Sequence, residues 1–240
     1  MRRTGRRVIT VLVVALAGAG AHGCGGHECV VDATYAPVID PAMFTSSTSI
    51  DNPLLPLAPG TIYTYEGAGE TIVVTVTSQT KVILGVSCVV VRDTVTVAGE
   101  VIEDTYDWFA QDDAGNVWYF GEDTKEYEGG AVVSTEGSWE AGVDGAQPGI
   151  VMHGTPPALG IPYRQEYLAC EAEDMAEVVD LDASVTVPYG AYTGCRQTRE
   201  FTPLEADVNE HKYYCPGVGL VLEVDVATGD RVELTAVSGP

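Results

Sequence analysis

The chain has few basic residues and no basic cluster in its main part. Its 240 residues include 12 Lys and Arg against 35 Asp and Glu. Beyond residue 23 there are 8 basic and 35 acidic residues, a net charge of −27. Nucleic-acid binding and docking on an anionic membrane both require clustered Lys and Arg. The composition therefore argues against both classes, while 45% hydrophobic residues suffice for a sizeable core.

Motifs of nucleophilic, redox and zinc chemistry are also absent. No two cysteines have Cys-x-x-Cys spacing, and no Gly-x-Ser-x-Gly elbow occurs. Beyond residue 23 only His27, His153 and His211 occur, none beside a partner motif. Acidic residues are so frequent that pairs of them carry little information. The sequence favours a protein that is not an enzyme.

The first 23 residues predict a signal peptide. Four arginines among the first seven residues precede an apolar run over 8–21, which is too short to cross a bilayer of about 30 Å as a helix. The small residues around Cys24 resemble the lipobox of bacterial lipoproteins, with Ala21 where Leu is usual. This resemblance implies lipidation of Cys24 and anchoring to the bacterial envelope, at the outer membrane. A secreted or periplasmic form is the alternative.

The remainder divides into a tether and one β domain. Residues 24–55 are rich in Pro, Ser and Thr and predict a lipid-anchored tether. Over 56–240, short β-branched runs are separated by Gly, Asp and Asn, and Thr71 to Thr77 alternates with the period of a half-buried strand. We therefore expect an all-β fold, a curved antiparallel sheet or half-barrel.

Two stretches of the domain, 60–125 and 160–225, resemble each other and predict a tandem duplication. The matched landmarks are Gly60 with Gly160, Tyr63 with Tyr163, Cys88 with Cys195, Arg92 with Arg199, Trp108 with Tyr213 and Gly115 with Gly219. The offsets stay between 100 and 107. This alignment predicts a strand for Glu171 to Val179, although the propensities of that segment favour helix.

The closing stretch of the second copy carries a further resemblance. Tyr213-Tyr214-Cys215 is followed by Pro-Gly-Val-Gly-Leu-Val. This stretch resembles the aromatic, Ala-Pro-Gly-Val-Gly-Leu-Val ending of uncharacterised secreted and lipid-anchored bacterial β proteins, with Cys215 in place of Ala. Some of those proteins have curved sheets like lipoprotein-carrier half-barrels. The resemblance implies a curved sheet and no activity.

Six cysteines in an exported chain predict disulfides. Cys170 and Cys215 have no cysteine counterpart in the first copy, so we expect them to pair with each other. Cys88 and Cys195 occupy matching positions. They either bridge across a pseudo-twofold axis or stay as buried thiols.

Matching positions also indicate candidate ligand-binding residues. Arg92 and Arg199 follow matching cysteines by four residues, and two such arginines are candidates to bind an anionic ligand. The alternative is ion pairing with acids on neighbouring strands. The other candidates for the lining of a pocket are Trp108, Tyr163, Gln165, Tyr167 and Tyr213.

A calcium site is a further candidate. Asp112, Asp113 and Asn116 lie in a short Gly-containing loop between two aromatic strands, and several oxygens at one turn suit a hard cation. A plain hairpin turn uses the same residue types. Apart from calcium, no cofactor is expected.

These observations lead to three hypotheses of function. The first is a non-enzymatic envelope lipoprotein that binds a small apolar or amphipathic ligand, or an envelope partner, on its concave sheet face. The second is a hydrolase that uses carboxylates, and the third is a structural surface protein. An open apolar cavity would favour binding, and facing carboxylates with one desolvated would favour the enzyme.

Overall fold

The computed structural model describes residues 31–239 and is almost entirely β-structure. Apart from a short 3₁₀ turn at Pro41–Met43, it contains fifteen strands within this range. They are β1 (Ile62–Gly67), β2 (Glu70–Ile83), β3 (Val86–Val97), β4 (Glu100–Gln111), β5 (Val117–Glu128), β6 (Ala131–Ser134), β7 (Trp139–Glu140), β8 (Gln147–Met152), β9 (Tyr163–Arg164), β10 (Glu166–Tyr167), β11 (Met175–Val187), β12 (Gly190–Thr202), β13 (Glu205–Cys215), β14 (Gly219–Asp225) and β15 (Arg231–Ser238). Within residues 31–239, no helix has the length and apolarity to cross a membrane.

The strands form one antiparallel sheet in the order β10-β8-β5-β4-β3-β2-β1-β15-β14-β13-β12-β11-β9, with β6 and β7 beside β5. The two strands at its ends, β9 and β10, are separated by Gln165 alone. Because β9 pairs with β11 and β10 pairs with β8, this short segment brings the two ends of the sheet together. Gly149 permits the approach, since a Cβ there would lie 2.3 Å from the backbone of Gln165. The expected curved all-β fold is confirmed.

Local patterns predicted several strands correctly. The alternating stretch Thr71 to Thr77 lies within β2, and the Asp-Gly-Asn loop joins β4 to β5 as a hairpin. The acidic segment predicted as a strand at Glu171 becomes one only from Met175, where β11 begins. Pairing with β12 therefore overrides helix propensity over most of that segment.

The two similar stretches have corresponding strand pairings. The chain of neighbours β1-β2-β3-β4-β5 corresponds to β9-β11-β12-β13-β14. Arg92 pairs with Tyr106 on the next strand, and Arg199 pairs with His211 in the same way. The N–H of Gly60 donates to Val76 at 2.8 Å, and that of Gly160 donates to Val178 at 2.9 Å. The duplication itself stays a prediction, with these pairings as its support.

The segment predicted as a tether is part of the domain where the structure describes it. Phe44, Ile50 and Leu55 are buried in the hydrophobic core. The backbone N–H of Asp32 donates to the hydroxyl of Tyr167 at 2.6 Å. The apolar side chains within this Pro- and Ser-rich segment cover the sheet, so ordered structure begins before residue 56.

The buried face of the sheet is apolar on some strands and acidic on others. One row of directly opposed residues runs Val76, Val91, Asp107 and Glu122 from β2 to β5. A second row runs Val178, Thr198, Lys212, Glu223 and Val232 from β11 to β15. All of these residues are buried. Strands β4, β5, β13 and β14 thus direct ionisable groups into the interior.

The cysteine pairing differs from the prediction. Cys215 is bonded to Cys195, not to Cys170, with Cα atoms 4.2 Å apart. Arg196 pairs with Tyr214 on adjacent strands, and this register places the two cysteines opposite each other. Cys88 is a free buried thiol, so the Cys88–Cys195 bridge is also wrong. Cys170 is in another disulfide, whose partner lies outside the described residues.

Candidate functional site

An acidic cavity of about 340 Å³ opens where β5 and β10 meet three connecting segments, those between β6 and β7, between β10 and β11, and between β12 and β13. Six of its lining residues are acidic: Glu122, Glu136, Glu166, Glu171, Asp174 and Glu205. None of the described residues that line it is basic or aromatic. Glu122, Glu166 and Asp174 are buried at its inner end, whereas Glu136 and Glu171 are exposed. The cavity is therefore acidic from its exposed rim to its buried end.

Glu122 owes its position to the glycine that precedes it. Gly121 has φ of +130°, and a Cβ there would lie 2.2 Å from the carbonyl oxygen of Trp139. Strand β7 therefore approaches closely as the neighbour of β5 at this point, with Glu122 paired to Trp139. The side chain of Glu122 lines the inner end of the cavity, where it is only 1% exposed.

Buried carboxylate oxygens in this cavity lack hydrogen-bond partners. Both oxygens of Glu122 and Oε2 of Glu166 are without a donor. Burial raises the pKa of Glu122 well above its usual value, and neighbouring Asp107 and Glu166 raise it further. Burial also raises the pKa of Glu166, with Asp174 adding to the effect. A buried carboxyl group in such surroundings takes up a proton or a cation.

Further acids continue the cluster beneath the cavity. Asp107 accepts a hydrogen bond from the hydroxyl of Tyr119 at 2.8 Å, but burial raises its pKa to about 7. Neither carboxylate oxygen of Asp93 has a donor, and burial followed by repulsion from Asp107 raises its pKa well above the usual value. Lys212 of the second half opposes the rise for Asp93 only in part. Among the described residues, neither Asp93 nor Asp107 forms an ion pair with a base of the first half.

A buried lysine lies among the acids of the second half. Nζ of Lys212 is 3.2 Å from Glu200, 3.4 Å from Glu223 and 3.8 Å from Glu210, and its side chain has no exposed surface. Burial lowers the pKa of Lys212, whereas the three carboxylates raise it. The effect of the carboxylates is the larger, so the net shift of the pKa is upward. This ammonium group neutralises part of the buried negative charge.

The two matched arginines form ion pairs with neighbouring acids. Nε and Nη2 of Arg92 donate to the two oxygens of Asp104 at 2.6 and 3.0 Å. Nη1 of Arg199 donates to Glu177 at 3.0 Å, and its Nε donates to Asn209. The structure therefore has the pairing that was the alternative to anion binding. No described cavity contains both arginines.

Tyr163 and Tyr167 lie around Arg164. Tyr163 lines an aromatic groove of about 360 Å³ together with Trp118 and Tyr35. The guanidinium of Arg164 is 4.3 Å from the ring of Tyr167, and it pairs with Asp32 at 3.2 Å. The chain segment before residue 40 thus covers part of this groove.

Three other predicted lining residues are separated from that groove. Gln165 is buried between β9 and β10 and is only 2% exposed. Trp108 is buried with the ammonium of Lys81 3.3 Å from its ring centroid. Tyr213 lies on β13, opposite Gln197 and Leu222. The structure does not bring the predicted ligand-binding residues together in one pocket.

The oxygens of the predicted calcium loop are engaged with protein donors. The carboxylate of Asp112 accepts hydrogen bonds from the N–H groups of Ala114 and Asn116, from the Asn116 amide and from the Trp118 indole. Oδ1 of Asp113 accepts from Thr45. These bonds hold the hairpin turn in place. No group of three metal-ligating side chains occurs in residues 31–239.

Sequence reasoning missed the acidic interior, although a signal for it was present. Asp93 alternates in phase with Val91 and Val95, so the period of two places its carboxyl group on the buried face. Glu223 directly follows the buried run Leu220 to Leu222. An acid that alternates in phase with buried valines predicts a buried carboxyl group. The cavity itself needed the tertiary contact between β5, β10 and the connecting segments.

Comparison with known proteins adds little to what the geometry of the site shows. No family model and no curated protein matches the chain. A crystal structure from Parabacteroides distasonis ATCC 8503, of a protein described as a "putative lipoprotein", is similar at 13% identity and a TM-score of 0.35. The match covers 77% of this chain and 98% of that one. At that TM-score the likeness carries no argument about function.

Proposed function

We propose that the chain is an exported, lipid-anchored binding protein whose acidic cavity holds a positively charged ligand. The N-terminal sequence supports export and anchoring through Cys24, which lies outside the described residues. The observation that supports binding is the pair of buried acids, Glu122 and Glu166, which line the cavity and have carboxylate oxygens without a donor. Charged hydrogen bonds from a ligand would satisfy those oxygens.

The ligand differs in charge from the one expected from the sequence. An apolar or anionic ligand has no counterpart in a cavity lined by six acids and, among the described residues, no base. A cationic ligand gains from the acids at the exposed rim, which focus negative potential into the opening. The proposal therefore retains the binding function and replaces the expected amphipathic ligand by a cation.

Binding fits the cavity better than hydrolysis by a carboxylate pair. Such a pair needs one protonated and one ionised group, so its two environments must shift the pKa values apart. Burial raises the pKa values of Glu122, Glu166 and Asp174 together. Three buried carboxyl groups whose pKa values are raised in the same direction support the binding of a positive charge better than a division into acid and base.

The test is thermal unfolding of the mature protein with a panel of chloride salts of calcium, sodium, butylammonium and 1,4-butanediammonium. A ligand that binds only the folded state at about 100 times its Kd stabilises it by about 2.7 kcal/mol. We expect at least one cation to raise the unfolding midpoint. The Glu122→Gln/Glu166→Gln double variant should lose that increase.

The control variant is Glu66→Gln/Glu128→Gln, which makes the same two Glu-to-Gln changes at exposed positions outside the cavity. It should keep the increase in midpoint. Equal increases in both double variants would contradict the proposal, because stabilisation would then come from general charge screening. The absence of any increase in the parent protein would contradict it as well.

A further inference from the structure

The lining of the cavity distinguishes between kinds of cation. Quaternary ammonium groups carry no N–H donor and are recognised by aromatic faces. None of the described lining residues is aromatic, and the apolar side chains among them are Ala172 and Leu204. The unpartnered oxygens of Glu122 and Glu166 instead require hydrogen-bond donors. The cavity therefore suits an ammonium group that has N–H bonds.

The same carboxylates are poorly arranged for a divalent metal ion. Calcium takes six to eight oxygen ligands that converge on one point. No group of three or more metal-ligating side chains is found in the part of the chain that the structure describes. An ammonium group makes fewer, directional contacts, and two or three carboxylate oxygens satisfy it.

The acids lie at two depths, which bears on the number of charges in the ligand. Glu122 and Glu166 are each 1% exposed at the inner end. Glu136 and Glu171 are exposed at the rim. A ligand with a single charge satisfies only one of these levels. Two ammonium groups joined by a short flexible chain place one charge at each level, with the methylene groups between them in a cavity of about 340 Å³.

We propose that the cavity binds a linear diamine or polyamine, with one primary ammonium at Glu122 and Glu166 and a second at the rim acids Glu136 and Glu171. This inference rests on the proposed function and specifies its ligand class. The inner ammonium donates to oxygens that otherwise have no partner. The rim ammonium stays partly in water, so its contribution is smaller.

The charge state of the inner acids is consistent with this ligand. Burial raises the pKa of Glu122, and the acids that face it, Asp107, Glu166, Glu103 and Asp174, raise it further. An ammonium beside Glu122 favours the ionised carboxylate. Entry of the ligand therefore displaces protons from the cavity.

The experiment is isothermal titration calorimetry of the mature protein with 1,4-diaminobutane, spermidine, butylamine, hexamethonium and calcium chloride. Hexamethonium has two charges but no N–H bond, and butylamine has N–H bonds but one charge. We expect 1,4-diaminobutane or spermidine to bind roughly tenfold or more tightly than both of these probes. Repetition in buffers of different ionisation enthalpy should reveal proton release.

Two variants locate the ligand. Glu122→Gln/Glu166→Gln should weaken diamine binding roughly tenfold or more. These residues are buried, so circular dichroism must first show that the variant folds. The exposed pair Glu136→Gln/Glu171→Gln folds without rearranging the interior, and it should weaken diamine binding but leave butylamine binding unchanged.

The outcomes separate this inference from the proposed function. Binding of calcium or hexamethonium that depends on Glu122, with no preference for diamines, would overturn the diamine assignment and leave the cationic site in place. Diamine binding that is as tight in both double variants as in the parent protein would place the ligand elsewhere and overturn both. The absence of binding by all five probes would also overturn both.

Discussion

Two corresponding rows of buried side chains neutralise their charge in different ways. In the first half, Asp107 lies between Val91 and Glu122, and no basic side chain shares that row. In the second half, the position that corresponds to Asp107 in the alignment is Lys212, between Thr198 and Glu223. The first row has no cation beside its acids, whereas the second contains an ammonium that offsets part of its negative charge. Burial raises the pKa of Glu223 in the second row as well, and Lys212 opposes that rise.

The difference explains why the candidate site lies where it does. Around Lys212 the carboxylates of Glu200 and Glu223 already have a cation within 3.4 Å. At Glu122 the carboxylate has no donor, and the residue lines a cavity that opens at the surface. A ligand cation at Glu122 would do for the first half what Lys212 does for the second.

Replacement of Lys212 by Met is the change with the largest expected effect on this comparison. It leaves Glu200, Glu210 and Glu223 buried without their ammonium. Loss of one partner of a buried ion pair costs about 3 to 5 kcal/mol. Urea unfolding at pH 7 should show a loss of this size. The matched control Lys125→Met removes an ammonium that is 33% exposed beside Asp123, and it should cost less than about 1 kcal/mol.

A part of the loss should be regained in acid, because protonated carboxyl groups no longer repel one another. An equal loss in both lysine variants would show that the buried charges are compensated by something other than Lys212.

The second prediction concerns pH in the row without a base. Burial raises the pKa of Asp107 to about 7, whereas an unfolded aspartate has a pKa of about 3.9. The folded state therefore retains this proton to higher pH than the unfolded state does. The stabilisation is complete below about pH 4 and is lost as pH rises through about 7. The free energy of unfolding should fall between pH 5 and pH 8.

Asp107→Asn should make that fall shallower by about 1 to 3 kcal/mol, since each pKa unit corresponds to 1.36 kcal/mol. Chemical unfolding at five pH values measures the slope. Ile72→Ala is the control: it removes a fully buried apolar side chain and should cost about 2 to 4 kcal/mol at every pH, with the parent slope. A parent protein whose stability does not change between pH 5 and pH 8 would contradict the prediction.

The smallest effect is expected for the matched arginines, where the two halves behave alike. Arg92 and Arg199 are 45% and 37% exposed in their ion pairs. Exposed pairs contribute about 0.2 to 1 kcal/mol. Arg92→Ala and Arg199→Ala should each lower stability by less than about 1 kcal/mol in thermal unfolding, and more at low salt than at high salt. A loss of 2 kcal/mol or more in either variant would show that the arginine has a further role.

The sequence predicted the elements of the fold better than their assembly. Alternation in Thr71 to Thr77 and the Gly-containing loop before Val117 are local signals, so they predicted β2 and the β4–β5 hairpin. The meeting of the sheet ends at Gln165 and the Cys195–Cys215 bond depend on register between distant segments, and no local pattern specifies them. The pairing of Cys170 with Cys215 assumed that unmatched cysteines pair, whereas proximity across adjacent strands decided the bond.

The candidate site was predictable only in part. Tyr163 lines a groove, whereas the cavity of the proposed site is lined by acids, which are too numerous in the sequence to be singled out. Among 35 acids, the informative ones share the alternation of buried valines. Burial distinguishes the few acids of the interior from the many on the surface, and burial depends on the assembled sheet.

The contacts of Asp32 with Tyr167 and Arg164 would shorten the segment between the domain and a lipid anchor at Cys24. A free segment from Cys24 to Leu55 would extend up to about 110 Å, whereas the eight residues from Cys24 to Asp32 extend at most about 29 Å. With lipid on Cys24, the patch around Tyr167 would be confined to a thin layer of water above the bilayer. Tyr167 is only three residues from Cys170 at the cavity wall. The domain would therefore bind its ligand in the layer of water at the membrane surface. Anionic headgroups raise the concentration of cations in that layer.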